Sequence, residues 1–299
     1  MKEFQKLISI SIDEIIDTEY LLGEEIQNIL KIFKQEKEQA EFYFGTLCVI
    51  HYEAYTDSFN QDIYKIAAAI ELLILSLDII DDLQDKDTDY VWMKTPELSL
   101  NSVLAMLILV SKVIRESTFQ HRNFVLQAIE KYTLISINGQ QLDLLNVCQD
   151  ESSYLQMIEK KSGSLTAMSC LVGTILAIGK EIDQIKQYGT SIGIIQQIKN
   201  DIQGLKELTN KNDLLNKRYS LPIIYLHTIK SEFSEDLRSY YSSDGTLDGY
   251  ILADVLKSSG ALRYAIAIKN IYKNKAIVII NNNTKINMQR KDYLINLMK

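Results

Sequence analysis

Residues 67–87 read AAAIELLILSLDIIDDLQDKD. From Ile66 to Ile80 the stretch lacks the polar face that a surface helix of a small bundle needs, so the pattern predicts a central helix ringed by others. A buried helix that then turns acidic within one turn is an unusual object. At 100° per residue, Asp81, Asp82 and Asp85 fall at about 0°, 100° and 40° and Asp78 near 60°, so four carboxylates share an arc of about 100°. Anions that close must be protonated, solvated or bound to a cation. A solvated helix end, helped by an i, i+4 pair between Asp82 and Lys86, is the plain structural reading. Acids stacked on one face beyond a buried-type run fit a bound cation better. Magnesium suits the residues, because it takes oxygen ligands and is held by one or two carboxylates plus substrate phosphates. No Cys or His stands nearby to favour zinc.

Outward from this stretch, most of the chain breaks into segments with apolar positions at helical spacing or apolar all round. The expected fold is all-α, a single helical bundle around a deep central cavity, with residues 1–299 as one domain. Helices are expected over 3–32, 36–57, 61–86, 96–117, 122–148, 152–180, 183–207, 220–242, 247–257, 260–280 and 285–298. Asn60 and the Thr95-Pro96-Glu97 triplet supply start signals, and Asp244-Gly245, Ser259-Gly260 and Asn281-Asn282-Asn283 supply stops. Residues 165–178 form a second stretch without a polar face, again expected to be central.

Composition narrows the class. With 32 Lys+Arg against 39 Asp+Glu the net charge is -7, which argues against nucleic acid as the main partner. Only 2 Pro and 12 Gly accompany 46% apolar residues, which excludes collagen-like, disordered and turn-rich all-β chains. The three cysteines, Cys48, Cys148 and Cys170, form no C-x-x-C, and a reducing cytoplasm is the expected location. The N-terminal residues carry acids where a secretion signal would be apolar. The longest uncharged run, residues 162–179, contains five Ser or Thr and three Gly, so a buried helix is expected there and not a stable membrane span.

A second polar patch follows in SIGIIQQIKNDIQGLKEL, where Gln197 and Asp201 lie one turn apart with Asn200 beside them. Alone it reads as a wet helix face. Together with the first patch it resembles a known family. Asp81-Asp82-Leu83-Gln84-Asp85 resembles the first aspartate-rich motif, D-D-x-x-D, of the trans-prenyl diphosphate synthase superfamily. Gly139-Gln140-Gln141-Leu142-Asp143-Leu144 resembles its G-Q-x-x-D-L, and Lys161-Ser162-Gly163 its K-T-A/G, preceded by Tyr154 and Ile158. Residues 193–204 resemble its second acidic motif, with Gln197, Asn200 and Asp201 on the matching positions. Arg218-Tyr219-Ser220-Leu221-Pro222 resembles its K-x-T-L-P. The five motifs stand in the family's order between residues 45 and 275.

That resemblance implies two acidic helices facing each other across a cavity. Asp81, Asp82, Asp85 and Asp201 are then the Mg2+ ligands, and Lys161, Gln197, Asn200 and Arg218 bind an allylic prenyl diphosphate. Catalysis would rest on Asp81, Asp82, Asp85, Lys161, Gln197 and Asp201. Neutralising the leaving diphosphate lets the carbon–oxygen bond break, and an apolar cavity shields the allylic cation. No nucleophile is required, which agrees with His51, His121 and His227 forming no triad. Ser76 and Leu77 occupy positions that gate chain length in the family.

The pattern also departs from that family. Synthases that use isopentenyl diphosphate carry G-K-x-x-R-P before the first motif and R-R-G after it. Here Gly45-Thr46-Leu47-Cys48-Val49-Ile50 and Asp89-Tyr90-Val91-Trp92-Met93-Lys94 stand in those places. A buried diphosphate without its cations is prohibitively costly. These departures, with the string WMK, resemble the ComQ-type prenyltransferases, which attach a farnesyl or geranyl group to a tryptophan of a quorum-sensing pheromone precursor peptide. An indole acceptor needs no second diphosphate pocket. The alternatives are a short-chain polyprenyl diphosphate synthase with a different acceptor site and a non-catalytic subunit of a heterodimeric synthase, and the resemblance implies a homodimer.

Overall fold

The computed structural model describes residues 1–39, 41–86, 90–206, 217–230, 232–242 and 249–299. Among them there are helices and no strands. In chain order these are α1 (Lys2–Thr18), α2 (Glu24–Glu38), α3 (Tyr43–Tyr55), α4 (Ile63–Asp85), a 3-10 turn (Val91–Lys94), α5 (Pro96–Glu116), α6 (Arg122–Leu144), α7 (Glu151–Ile158), a π turn (Glu159–Gly163), α8 (Ser164–Ile178), α9 (Asp183–Lys206), α10 (Leu221–Thr228), α11 (Glu232–Ser242), α12 (Gly249–Ser258), α13 (Ala261–Asn282) and α14 (Met288–Leu297).

The two stretches without a polar face are the interior helices. On α4 every residue from Ile66 to Ser76 is buried, and α8 is buried from Thr166 to Leu176. Helix α8 packs on α3, α6 and α9, while α4 packs on α1, α3 and α5. Their apolar side chains join one core that runs from Ile8 to Met298. Burial of this kind, at roughly 25 cal/mol per Å² of apolar surface, drives the assembly. Two helices, Pro96–Glu116 and Glu151–Ile178, are long and apolar enough to cross a membrane, but 72% of the apolar window in the second is buried inside the protein.

The helices expected over 36–57 and 122–148 are shorter, at Tyr43–Tyr55 and Arg122–Leu144, and two other expected helices are broken. The helix expected over 3–32 breaks at Glu19, whose backbone turns extended (ψ 91°). Its buried carboxylate takes Lys112 of α5 at 2.5 Å and the Leu21 amide at 3.2 Å, and α2 starts after Gly23. The helix expected over 220–242 ends at Thr228, because Ile229 is extended (ψ 151°). Thr95 does precede α5 with Pro96 at the first position, but its hydroxyl makes no capping bond. Asp244-Gly245 lies outside the described residues.

Candidate active site

Two cavities meet at the acidic end of α4. The first, of about 330 Å³, is lined by acids and cations from α4, α6, the π turn, α9 and the segment before α10. The second, of about 370 Å³, runs between α4, α6 and α8 and is walled by Tyr43, Phe44, Ile74, Leu77, Ile137, Leu144 and Leu165 among others. Both sizes fall within the roughly 300–1,000 Å³ of small-molecule sites. A polar compartment opening into an apolar one suits an amphiphile with an anionic head and a hydrocarbon tail.

The four acids of the arc do not share one fate. Asp81 faces Lys161 (3.2 Å) and the Gln140 amide. Asp85 takes the Arg218 guanidinium at 2.6 Å. Asp82 accepts from the indole N–H of Trp92 at 2.9 Å, and Asp78 pairs with Lys37 of α2 at 2.5 Å. Burial raises the Asp85 carboxyl to about 6, and the neighbouring Asp81 adds to the rise, against Arg218 and Lys161 which pull it down. A divalent cation among these carboxylates would oppose that rise.

Lys161 sits where the long helical run from Glu151 to Ile178 swells into its π turn. Gly139 of α6 and Gly193 of α9 press on this turn from two sides. A Cβ at Gly139 would run into the backbone of Lys161, and one at Gly193 would lie 2.5 Å from the Ser162 carbonyl oxygen, so neither position admits a side chain. The Ser136 hydroxyl donates to the Lys161 carbonyl at 2.6 Å. Lys161 reaches Asp143 at 2.7 Å as well as Asp81. Burial pulls its pKa down, but Asp81, Asp143 and Asp85 outweigh burial and hold the ammonium above its ordinary range.

Across the cavity on α9, Gln197 accepts from the Ser162 hydroxyl at 2.6 Å and donates to Asp201 at 2.9 Å. Tyr154 of α7 donates its phenol to Asp201. Asn200 borders both cavities. Arg218 lies before α10, 14% exposed, donating to the Asp143 carbonyl and flanked by Ser220, whose buried hydroxyl has no partner. All eight residues singled out from the sequence, Asp81, Asp82, Asp85, Lys161, Gln197, Asn200, Asp201 and Arg218, line the first cavity.

Sequence reasoning missed others. Asp143, read only as part of a motif, is the acid that Lys161 and Arg218 share. Lys37 also lines the first cavity, beside Tyr90 and Trp92 of the segment that stands in place of the family's arginine pair. Trp92 is buried, stacked on Tyr90 at 4.8 Å and set edge-on to Phe33 at 5.7 Å. Lys37 was invisible because its own helix gives no sign that it leans over α4. Of the two chain-length positions, Leu77 lines the second cavity, while the Ser76 hydroxyl turns back to the Leu73 carbonyl. His51 is packed in the core, bonded to Tyr188 and the Leu47 carbonyl, and burial lowers it to about 4.

The donor set fits magnesium. Carboxylates and amide oxygens from α4 and α9 line one cavity with no Cys or His among them. Among the described residues no three His, Cys, Asp or Glu side chains form a group that could hold a metal alone. Magnesium typically takes one or two carboxylates and completes its shell with phosphate and water.

An all-α bundle whose acidic helix faces a second polar helix over a cavity of this shape is the architecture of isoprenoid synthases. Residues 43–254 match the polyprenyl synthetase family, and the chain belongs to it. It is 34% identical over 262 residues to the tryptophan prenyltransferase ComQ of Bacillus subtilis subsp. natto, covering 86% of this chain and 81% of that one. It is 27% identical over 217 residues to a short chain isoprenyl diphosphate synthase of Methanocaldococcus jannaschii, covering 68% and 64%. Heptaprenyl diphosphate synthase of Staphylococcus aureus shares the fold with a TM-score of 0.84 at 18% identity, covering 100% of this chain and 96% of that one.

Proposed function

We propose that this chain transfers a farnesyl or geranyl group from its diphosphate to a tryptophan of a pheromone precursor peptide. The observation that carries this reading is the wall of the first cavity beyond Asp82. There an aromatic pair, Tyr90 and Trp92, stands where an acceptor diphosphate would need cations. Lys37, which also lines the first cavity, is paired with Asp78. Residues Gly45 to Ile50 are buried in α3 and line neither cavity. A neutral, π-rich acceptor such as indole meets such a wall at far less desolvation cost than a second diphosphate. The likeness to the Bacillus tryptophan prenyltransferase, over most of both chains, supports the same reading.

In this reading Lys161 and Arg218 bind the donor's diphosphate, and Gln197 and Asn200 orient it from α9. Asp81, Asp82, Asp85 and Asp201 hold magnesium, which when bound neutralises the charge that develops on the departing diphosphate. Before donor arrives, Asp143 keeps Lys161 and Arg218 from repelling each other. The second cavity takes the hydrocarbon tail and keeps water from the allylic cation. The chain is read as a single cytoplasmic domain that pairs as a homodimer through the exposed apolar residues of α5 and α6, among them Leu104, Ile108 and Leu134.

The test is acceptor choice. Labelled farnesyl or geranyl diphosphate with magnesium is offered either isopentenyl diphosphate or a Trp-bearing precursor peptide. Label is expected on the peptide and not on its Trp→Ala version. Consumption of isopentenyl diphosphate to a longer diphosphate, with native and Trp→Ala peptides behaving alike, would make the chain a short-chain synthase instead.

A further inference from the structure

The reaction proposed above releases one proton. The donor's carbon–oxygen bond breaks and its electron pair leaves with the diphosphate. An electron pair of the indole ring forms the new carbon–carbon bond, and the resulting cation is discharged by loss of an N–H proton. Something beside the reacting carbon must take that proton. That carbon lies where head and tail meet, at the neck between the polar and apolar cavities.

Six residues border both cavities: Lys37, Asp78, Asp81, Lys161, Gln197 and Asn200. Two of them are carboxylates. Asp81 faces Lys161 and Gln140 and belongs to the metal set. Asp78 stands about one turn earlier on α4, outside the D-D-x-x-D motif. Its side chain is 47% exposed, so an acceptor can reach it, and it is bound to Lys37, whose side chain is only 13% exposed. Of the other carboxylates around the first cavity, Asp82 is bound to Trp92, Asp85 to Arg218, Asp143 to Lys161 and Asp201 to Tyr154 and Gln197, and Glu36 lines that cavity alone and does not border the second.

We infer that Asp78, anchored by Lys37 at the neck of the two cavities, accepts the proton that the acceptor ring loses on prenylation. The ion pair with Lys37, at 2.5 Å, holds the Asp78 carboxylate at the neck. Burial would lower Lys37, but Asp78 and Glu71 together lift it above its ordinary range, so it stays charged. Neither residue belongs to the motifs that place the donor.

This assignment rests on the acceptor reading above, and one experiment separates their failures. Label from the donor is followed into prenyl peptide and into prenyl alcohol, the product of ionisation followed by water capture, alongside free diphosphate. Asp78→Asn is expected to cut peptide prenylation at least a hundredfold, the usual yield of a positioned general base. Diphosphate release and the donor KM should change less than about threefold, so the label shifts to alcohol. Asp78→Glu should recover part of the transfer. Because Asp78→Asn strands the Lys37 ammonium, the double variant Lys37→Gln with Asp78→Asn restores a neutral pair; it should fold as the native chain does and still yield alcohol. Restored transfer in that double variant would overturn the assignment, as would equal loss of ionisation and transfer in the single variant, or no loss. A native chain that labels no peptide removes the acceptor reading itself, and this assignment with it.

Discussion

Glu71 is the most testable single group in the interior. It lies ten residues before Asp81 on α4, 1% exposed, with one carboxylate oxygen accepting the Gly45 amide at 2.5 Å and the other without a partner. Burial raises it from 4.5 to about 7; Asp78 adds to the rise, while Lys37 and the amides of Gly45 and Phe44 oppose it. A carboxyl with a raised native pKa binds its proton more tightly folded than unfolded. Between pH 4.5 and 7 the folded chain therefore holds more protons, and stability falls as pH rises through that window. The full span is about 2.5 units, or roughly 3 kcal/mol at 1.36 kcal/mol per unit. Glu71→Gln keeps the acceptor for Gly45 and abolishes the titration. Urea midpoints of native and variant at pH 5 and pH 8 measure the effect, with m unchanged. The variant is expected to be close to native at pH 5 and more stable at pH 8, by up to about 3 kcal/mol. A stability difference that is the same at both pH values would refute the reasoning and show that Glu71 sits ionised against Lys37.

Asp81→Asn should lower turnover at least about a hundredfold, the scale for losing one transition-state ligand, and more magnesium should not restore it; near-native turnover would remove Asp81 from the metal set. Because Asp85 rises to about 6, protons should compete with the metal below that pH. The magnesium concentration for half-maximal activity should then increase severalfold from pH 7.5 to pH 5.5, and a flat profile would exclude Asp85 as a ligand. Gly139→Ala forces a methyl into the Lys161 backbone. It should cost about 1–3 kcal/mol by denaturation and raise the donor KM more than that of the peptide; unchanged donor kinetics would show that Lys161 is not positioned from α6.

What the sequence made legible follows from local physics. The apolar run of α4 and the acids at its end announced both the core and the site, because burial and like-charge repulsion act along one helix. Gln197 and Asp201 were visible for the same reason. Lys37 was not, since it meets α4 from another element and only tertiary packing decides which side chain arrives. The break at Glu19 was hidden likewise: its cause is Lys112, 93 residues away. The start of α10 was marked by Pro222, whereas its end at Ile229 carries no Gly, Pro or Asn to betray it.

The π turn at Glu159–Gly163 has a further consequence. Such a turn holds one more residue than an α-turn, so the helix before it is rotated by roughly 100° relative to an uninterrupted helix. Helix α7 is thus indexed independently of α8, and Tyr154 comes to face Asp201 while α8 keeps its buried side in the core. Deleting Lys160 should close the turn into regular helix, leave α8 seated, and swing α7 out of phase. Such a chain is expected to stay folded by circular dichroism while losing donor binding, so the extra residue acts as a phase setter between a structural helix and a functional one.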